Sequence, residues 1–517
     1  MGEGAVKADG ERDHGGSAQE TIEASVRLIP VCAGLALFAL FLVLPAPEGL
    51  STEGWRVVAV ASLMIVWWIT EAIPVAATAL LPLALFPLTG AVEMGPTAAP
   101  YADPTIFLFM GGFMLAKAMQ TWNLHRRIAL SIVARTGSRQ HHIVGGFMLA
   151  TAFLSMWVSN TATTVMMLPI ALSVAGLLAD DAGDEAGSAK FALALLLGLA
   201  YSASIGGVAT LIGTPPNALL AGSLSQAYGY DLGFGRWMLI GVPIAAIMLV
   251  ISWLLLTRIA LRLPTHQIEG AERLIKDQVA ALGRWSRPEI IVGVVFISAA
   301  LLWVFRSALQ GIIPGLNDAG IAIGAALVLF LIPSGTTKGV ALLNWETASR
   351  IPWGVLLLFG GGLSLAKAVA ETGLDQWIGN AIGGFAGALP LIGIVLLVAT
   401  VILLLTEFTS NTATAATFLP LLAALSENLG ENPLMLAVPA ALAASMAFMM
   451  PVATPPNALV FSSGKVTIPQ MVRYGGWHNL AALLVISTLG YLILTTLFGV
   501  SVGELPDWAT KGAEAVQ

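Results

Sequence analysis

Charge is what this chain has least of. Asp, Glu, Lys and Arg make up 10% of its 517 residues, against roughly 25% in soluble domains. A compact water-soluble fold of this length cannot be covered with so few charges, which excludes the several soluble domains that length alone suggests. Cys32 is the only cysteine, so intrachain disulfides, CxxC redox motifs and cysteine metal clusters are excluded. The net charge of −6 gives nucleic acid no basic footprint. What fills the chain instead is apolar, 57% by count, and the composition predicts an all-α polytopic membrane protein.

Residues 1–26 are polar and Gly-rich and read as a disordered cytoplasmic tail. The apolar run Leu28 to Leu44 lacks a tidy small-residue cleavage site behind it and reads as a retained first span. Further runs of spanning length lie near 55–73, 74–90, 104–120, 190–212, 236–260, 288–305, 319–333, 353–370, 434–452 and 477–499. That gives about 11 transmembrane helices. The stretches 143–178 and 390–425 are too long for one crossing, and each carries a polar knot, Ser159-Asn160-Thr161 and Ser410-Asn411-Thr412.

Each long stretch could be two crossings or one re-entrant hairpin, and positive charge decides between them. Two hairpins with a cytoplasmic N-terminus place most Lys and Arg on the cytoplasmic side, including Arg126, Arg127, Arg135 and Arg139, then Arg258, Arg262, Arg273, Lys276, Arg284 and Arg287. The opposite loops at 45–54, 91–103, 371–389 and 426–433 contain no Lys or Arg.

Three elements occur twice. Leu108-Phe109-x-Gly111-Gly112-x-x-Leu115-Ala116-Lys117-Ala118 recurs from Leu358 to Ala368, Ser159 to Thr163 recurs at Ser410 to Thr414, and Thr214 to Leu219 recurs at Thr454 to Leu459. An odd number of crossings separates the copies, so the repeats are inverted. Inverted repeats with broken helices mark alternating-access transporters, whose substrate lies at the repeat interface.

Irregular backbone survives in hydrocarbon only when buried in protein or lining a cavity, so the polar knots predict a cavity. Ser, Thr and Asn offer donors to an anion and acceptors to a small hard cation. Helix N-termini add positive dipole ends, and the double prolines of Thr-Pro-Pro-Asn free carbonyls on the preceding turn, Gly213 and Ala453 among them. Glu407, where the first copy has Met156, is read as supporting its hairpin tip, with cation balance as the other role open to it. Snorkelling accounts for Lys117 and Lys367, and Glu71 reads as interfacial. His141 and His142 read as solvated, and segment 122–136 as an amphipathic interfacial helix.

Together these residues resemble the divalent anion/sodium symporter family, over about 28–500. Its signature is met by Ala444-Ser445-x-x-Phe448-x-x-Pro451-Val452-Ala453-x-x-x-Asn457-x-Leu459-Val460. The resemblance implies two opposed re-entrant helical hairpins, a homodimer built on scaffold helices, and an elevator-type transporter in a bacterial inner membrane. Scaffold helices are expected at 27–140 and 288–388, transport halves at 141–262 and 389–500, a cytoplasmic linker at 263–287 and a C-terminal tail at 501–517.

Carried over residue by residue, the resemblance places substrate carboxylates at Asn160, Thr161, Asn411 and Thr412. Ser159, Ser410, Thr214, Pro215, Thr454 and Pro455 complete the pocket. It places one Na⁺ among Ser155, Ser159, Asn160 and Gly213 and a second among Thr406, Thr409, Asn411 and Ala453. The implied activity is Na⁺-coupled symport of succinate, fumarate or malate, with no organic cofactor. Na⁺-independent exchange and citrate or sulfate transport stay open within the family. No Lys or Arg lies next to either tip, so cations bound beside a dianion are expected to neutralise it. An ion channel is a second rival class. An intramembrane hydrolase needs a Ser–His pair, an Asp pair or a metal set, and the six histidines (His14, His125, His141, His142, His266, His478) all fall outside the predicted span cores.

Overall fold

The protein is described here from a computed structural model covering residues 28–179, 185–265, 267, 268, 270–336, 339–378 and 390–509. The expected tail at 1–26, His14, His266 and residues 510–517 lie outside these. Among the described residues the fold is helical, its β pairing limited to isolated bridges at Arg139–Gln267 and Pro333–Ala341. Seven helices among the described residues are long and apolar enough to cross a membrane: Thr52–Thr70, Asn160–Leu178, Ala186–Gly207, Phe234–Ala260, Arg287–Val304, Trp353–Glu371 and Ile468–Thr496. Shorter apolar helices occupy Leu28–Val43, Leu81–Thr89, Asp318–Leu331, Leu391–Thr406 and Leu434–Ala444.

Capping residues set where several helices start. Ser51 Oγ accepts from Gly54 N, Asn317 Oδ1 from Gly320 N, and Ser286 with Glu289 forms a reciprocal capping box. Burial then separates inner from outer helices: 89% of the apolar window in Ala186–Gly207 is buried, against 33% in Arg287–Val304. On the latter, Ile290, Val294, Ile297 and Leu301 form an exposed apolar stripe at helical spacing. An apolar stripe turned outward on a charge-poor chain suits hydrocarbon rather than water.

The repeats are visible as matched elements. Pro104–Thr121 corresponds to Trp353–Glu371, the pair Gln140–Ser155 and Asn160–Ala179 to Leu391–Thr406 and Asn411–Asn428, and Pro215–Tyr228 to Pro455–Ser462. The long helices ending each repeat both contain a π-helical turn, Leu255–Ala260 and Ile486–Gly490. The repeated Gly-Gly sequences allow close helix crossings: a Cβ on Gly111 would collide with the backbone of Ala322, and one on Gly361 with the backbone of Ala79. Phe109 and Phe359, equivalent by sequence, touch edge to face at 4.9 Å between centroids. Two equivalent residues in mutual contact mark the line about which the halves are related.

Several sequence expectations need correction. The run 74–90 is not one helix, since Val75–Thr78 and Leu81–Thr89 are separated by a turn at Ala79 and Leu80. The fifth run extends past its break into Pro215–Tyr228, which the hydropathy estimate ended at 212. The interfacial helix is Leu124–Val133, and its Arg127 is buried rather than on a wet face. Arg127 Nε lies 2.8 Å from Glu289 Oε1, and its other nitrogens reach the carbonyls of Leu282 and Gly283 at 2.9 and 3.0 Å. His141 is buried, not solvated. His478 is buried inside Ile468–Val485, where Tyr474 O, one turn back, lies 2.7 Å from its Nδ1. Its ring packs on Tyr201 and Phe448.

Candidate functional site

Each hairpin turns over four residues, 156–159 and 407–410, before a new helix begins at Asn160 or Asn411. Each broken helix unwinds after Gly207 or Ala444 and restarts at Pro215 or Pro455, because the double proline removes donors that a continuous helix requires. The two tips and the two breaks meet at one cavity of about 1130 Å³.

All ten expected substrate residues line it: Ser159, Asn160, Thr161, Thr214, Pro215, Ser410, Asn411, Thr412, Thr454 and Pro455. Four helices therefore present their N-terminal turns to one space. An N-terminus carries about half a positive charge, so four of them amount to about two, the magnitude needed by a dianion. Among the described residues no Lys or Arg lines the cavity, and Glu71 is its only charged wall residue.

The expected cation residues divide into two layers. Ser159, Asn160, Gly213, Thr409, Asn411 and Ala453 reach the cavity, whereas Ser155 and Thr406 sit behind it, fully buried. Ser155 Oγ is 2.5 Å from Asn160 Oδ1 and 2.7 Å from Ala203 O. Thr406 Oγ1 repeats the pattern, 2.6 Å from Asn411 Oδ1 and 2.9 Å from Ala444 O. In both copies one hydroxyl hydrogen faces two acceptor oxygens. Such a surplus of lone pairs fits a small hard cation.

The copies differ in packing. A Cβ on Gly207 would lie 2.8 Å from Asn160 Oδ1, and one on Gly213 would collide with the Gly207 carbonyl. Alanines occupy the matching positions 447 and 453, so the first cluster is the tighter.

Glu407 does more than support its tip. Oε1 accepts from Phe448 N at 2.9 Å and Asn479 Nδ2 at 2.6 Å, Oε2 accepts from Met450 N at 2.9 Å, and Met449 N is shared between them. The carboxylate thus binds the donors that the second break frees. In the first copy Met156 has only its carbonyl to offer, and Thr210 Oγ1 donates to it.

Sequence reasoning missed the walls contributed by Phe109, Phe113, Ile212, Val355, Phe408 and Val452, which look like ordinary apolar positions. It also missed Asn479, although a His478-Asn479 pair inside an apolar run was a signal available to it.

Residues 25–500 match the sodium:sulfate symporter transmembrane region. Over 485 residues the chain is 42% identical to the sodium-dependent dicarboxylate transporters SdcS of Staphylococcus aureus (strain USA300) and Staphylococcus saprophyticus, covering 92% of this chain and 93% of each relative. Its fold is similar to that in the crystal structure of the Alcanivorax borkumensis YdaH transporter, with a TM-score of 0.51 at 16% identity, over 91% of this chain and 97% of that one. Repeat pattern, signature and near full-length similarity agree: this chain is an integral membrane protein belonging to the sodium:sulfate symporter family, the divalent anion/sodium symporters.

Proposed function

We propose that this protein is a secondary active transporter that couples Na⁺ to the uptake of four-carbon dicarboxylates such as succinate, fumarate and malate. The observation that carries this reading is the cavity itself, where four helix N-termini and two oxygen clusters meet with no Lys or Arg among the lining residues. The SdcS relatives are named sodium-dependent dicarboxylate transporters, which supports Na⁺ and a dicarboxylate as the cargo. Transferring a bare dianion through low dielectric costs several kcal/mol per charge. Two Na⁺ bound in the oxygen clusters neutralise it and supply the driving gradient. Sodium binds first and orders the tips, after which the carboxylates bind between Asn160-Thr161 and Asn411-Thr412.

The accompanying architecture is eleven crossings and two re-entrant hairpins, with the N-terminus in the cytoplasm of a bacterial-type inner membrane. In that topology Glu71 and Pro352 belong to cytoplasmic turns, and because both line the cavity it opens inward. The halves 141–262 and 389–500 move as an elevator against scaffold helices that also form a homodimer. Equivalent tip residues support such motion by their unequal surroundings: Trp157 packs edge-on to Phe296 at 5.1 Å, while Phe408 stands exposed in the cavity.

The test is uptake of labelled succinate into proteoliposomes, with competition by unlabelled fumarate, malate, citrate and sulfate. Uptake should collapse when choline replaces Na⁺. Undiminished uptake in choline would replace symport by anion exchange, and uptake without saturation or counterflow would make the protein a channel.

A further inference from the structure

Both Thr-Pro-Pro-Asn elements end in an asparagine that the cavity does not use. Asn217 and Asn457 are fully buried, and neither lines the cavity. Asn217 Nδ2 lies 2.8 Å from Thr210 O, 3.2 Å from Gly207 O and 3.3 Å from Val208 O. Asn457 Nδ2 lies 3.0 Å from Met450 O and 3.3 Å from Ala447 O. These carbonyls belong to the end of the preceding helix and the unwound turn that follows it. Each amide therefore gathers backbone oxygens that the break releases.

The orientation of both amides is fixed by this task. Turned over, each would press its oxygen against carbonyl oxygens. Held as they are, Asn217 Oδ1 and Asn457 Oδ1 have no hydrogen-bond partner among the described residues. A buried polar atom left without a partner is destabilising. The same loss is accepted at equivalent positions in both repeats, which points to the donor side of the amide as the part that matters.

Gly207 connects this clamp to the first oxygen cluster. A Cβ on Gly207 would lie 2.8 Å from Asn160 Oδ1 and 3.2 Å from Gly213 O. Gly207, whose carbonyl Asn217 holds, thus packs closely against the amide of Asn160 and the carbonyl of Gly213. We propose that Asn217 and, by its equivalent place in the second repeat, Asn457 are positioning residues for the two Na⁺ sites: each clamps the carbonyls of a break and so holds the backbone that carries Gly213 or Ala453 in shape beside its hairpin tip. The proposal rests on the Na⁺-coupled reading above and adds residues that touch neither substrate nor cavity.

The experiment measures succinate uptake by the full-length protein in proteoliposomes for the wild type, Asn217→Ala, Asn217→Ser and Asn457→Ser. In Asn217→Ala the half-saturating Na⁺ concentration should rise about tenfold or more, while succinate KM at saturating Na⁺ stays within twofold. The serine variants keep one donor and should fall between. Half-saturating Na⁺ within twofold of wild type in all three overturns the proposal, as does an equal rise in Na⁺ requirement and succinate KM, which signals general distortion. Should Asn217→Ala fail to fold, the Na⁺-induced rise in melting temperature of purified Asn217→Ser is the measurement. A smaller rise with an unchanged Na⁺-free midpoint supports the clamp, and a rise equal to wild type overturns it. A wild type indifferent to Na⁺ instead overturns the transport reading, a result distinguishable from either.

Discussion

Replacing Glu407 by glutamine tests the anchoring of the second break in one isosteric step. The carboxylate accepts from three consecutive backbone N–H groups, Phe448 to Met450, and from Asn479. Glutamine keeps the shape but turns one oxygen into a donor. If that donor replaces Oε2, it faces Met449 N and Met450 N; if it replaces Oε1, it faces Phe448 N, Met449 N and the Asn479 amide. Met449 N keeps the remaining oxygen and Phe448 N keeps Asn479 Oδ1, so either way one buried donor, Met450 N or Asn479 Nδ2, loses its acceptor while the new amide N–H group faces donors and finds none, two unsatisfied donors in all. At about 1–3 kcal/mol each, the loss is about 2–6 kcal/mol, before counting the charge assistance removed from the remaining bonds. The expected outcome is a clear drop in the melting temperature of purified Glu407→Gln, both with and without Na⁺, together with uptake below a tenth of wild type. A cation-balancing carboxylate would behave differently, with the melting temperature in Na⁺-free buffer holding and the charge moved per succinate changing. A Na⁺-free melting temperature equal to wild type would refute the anchoring argument.

Asn160→Ala and Asn411→Ala each remove an amide from a tip, and uptake should fall below a tenth of wild type in both; near-normal transport by either variant would break the site assignment. Gly207→Ala places a methyl 2.8 Å from Asn160 Oδ1 and should abolish uptake, whereas Ala453→Gly, which copies the first repeat, should retain at least a third of it in the same assay. Arg127→Ala leaves Glu289 buried without its partner, costing about 3–5 kcal/mol and read as a lowered melting temperature. Arg127→Lys should not restore it, because one ammonium cannot serve both carboxylate oxygens and the carbonyls of Leu282 and Gly283.

The tips and breaks were legible in the sequence because hydrocarbon tolerates irregular backbone only around a cavity, which made Ser159-Asn160-Thr161 and its copy stand out from their apolar surroundings. All ten substrate candidates do line one cavity. Side chains that act from behind the surface were harder to read. Ser155 and Thr406 came only through family resemblance, and Asn479 was missed, because its value depends on a carboxylate from a distant helix. Periodicity also failed where a turn needs no polar residue, as at Ala79 and Leu80 between two short apolar helices. Arg127 illustrates the opposite failure: a charge on an amphipathic segment was assigned to water, yet its partner Glu289 waits 162 residues along the chain.

The four helix ends around the cavity have a consequence for acidity. Their field comes from peptide dipoles, which neither gain nor lose protons, and none of the ten substrate candidates carries an ionisable side chain. Apart from Glu71, the one carboxylic acid among the described wall residues, the pocket's attraction for a dianion therefore comes from groups that do not titrate. A pH profile of uptake should follow the fraction of dicarboxylate that is doubly ionised, shifting from one substrate to another with the second dissociation of each acid rather than staying at a value set by the protein.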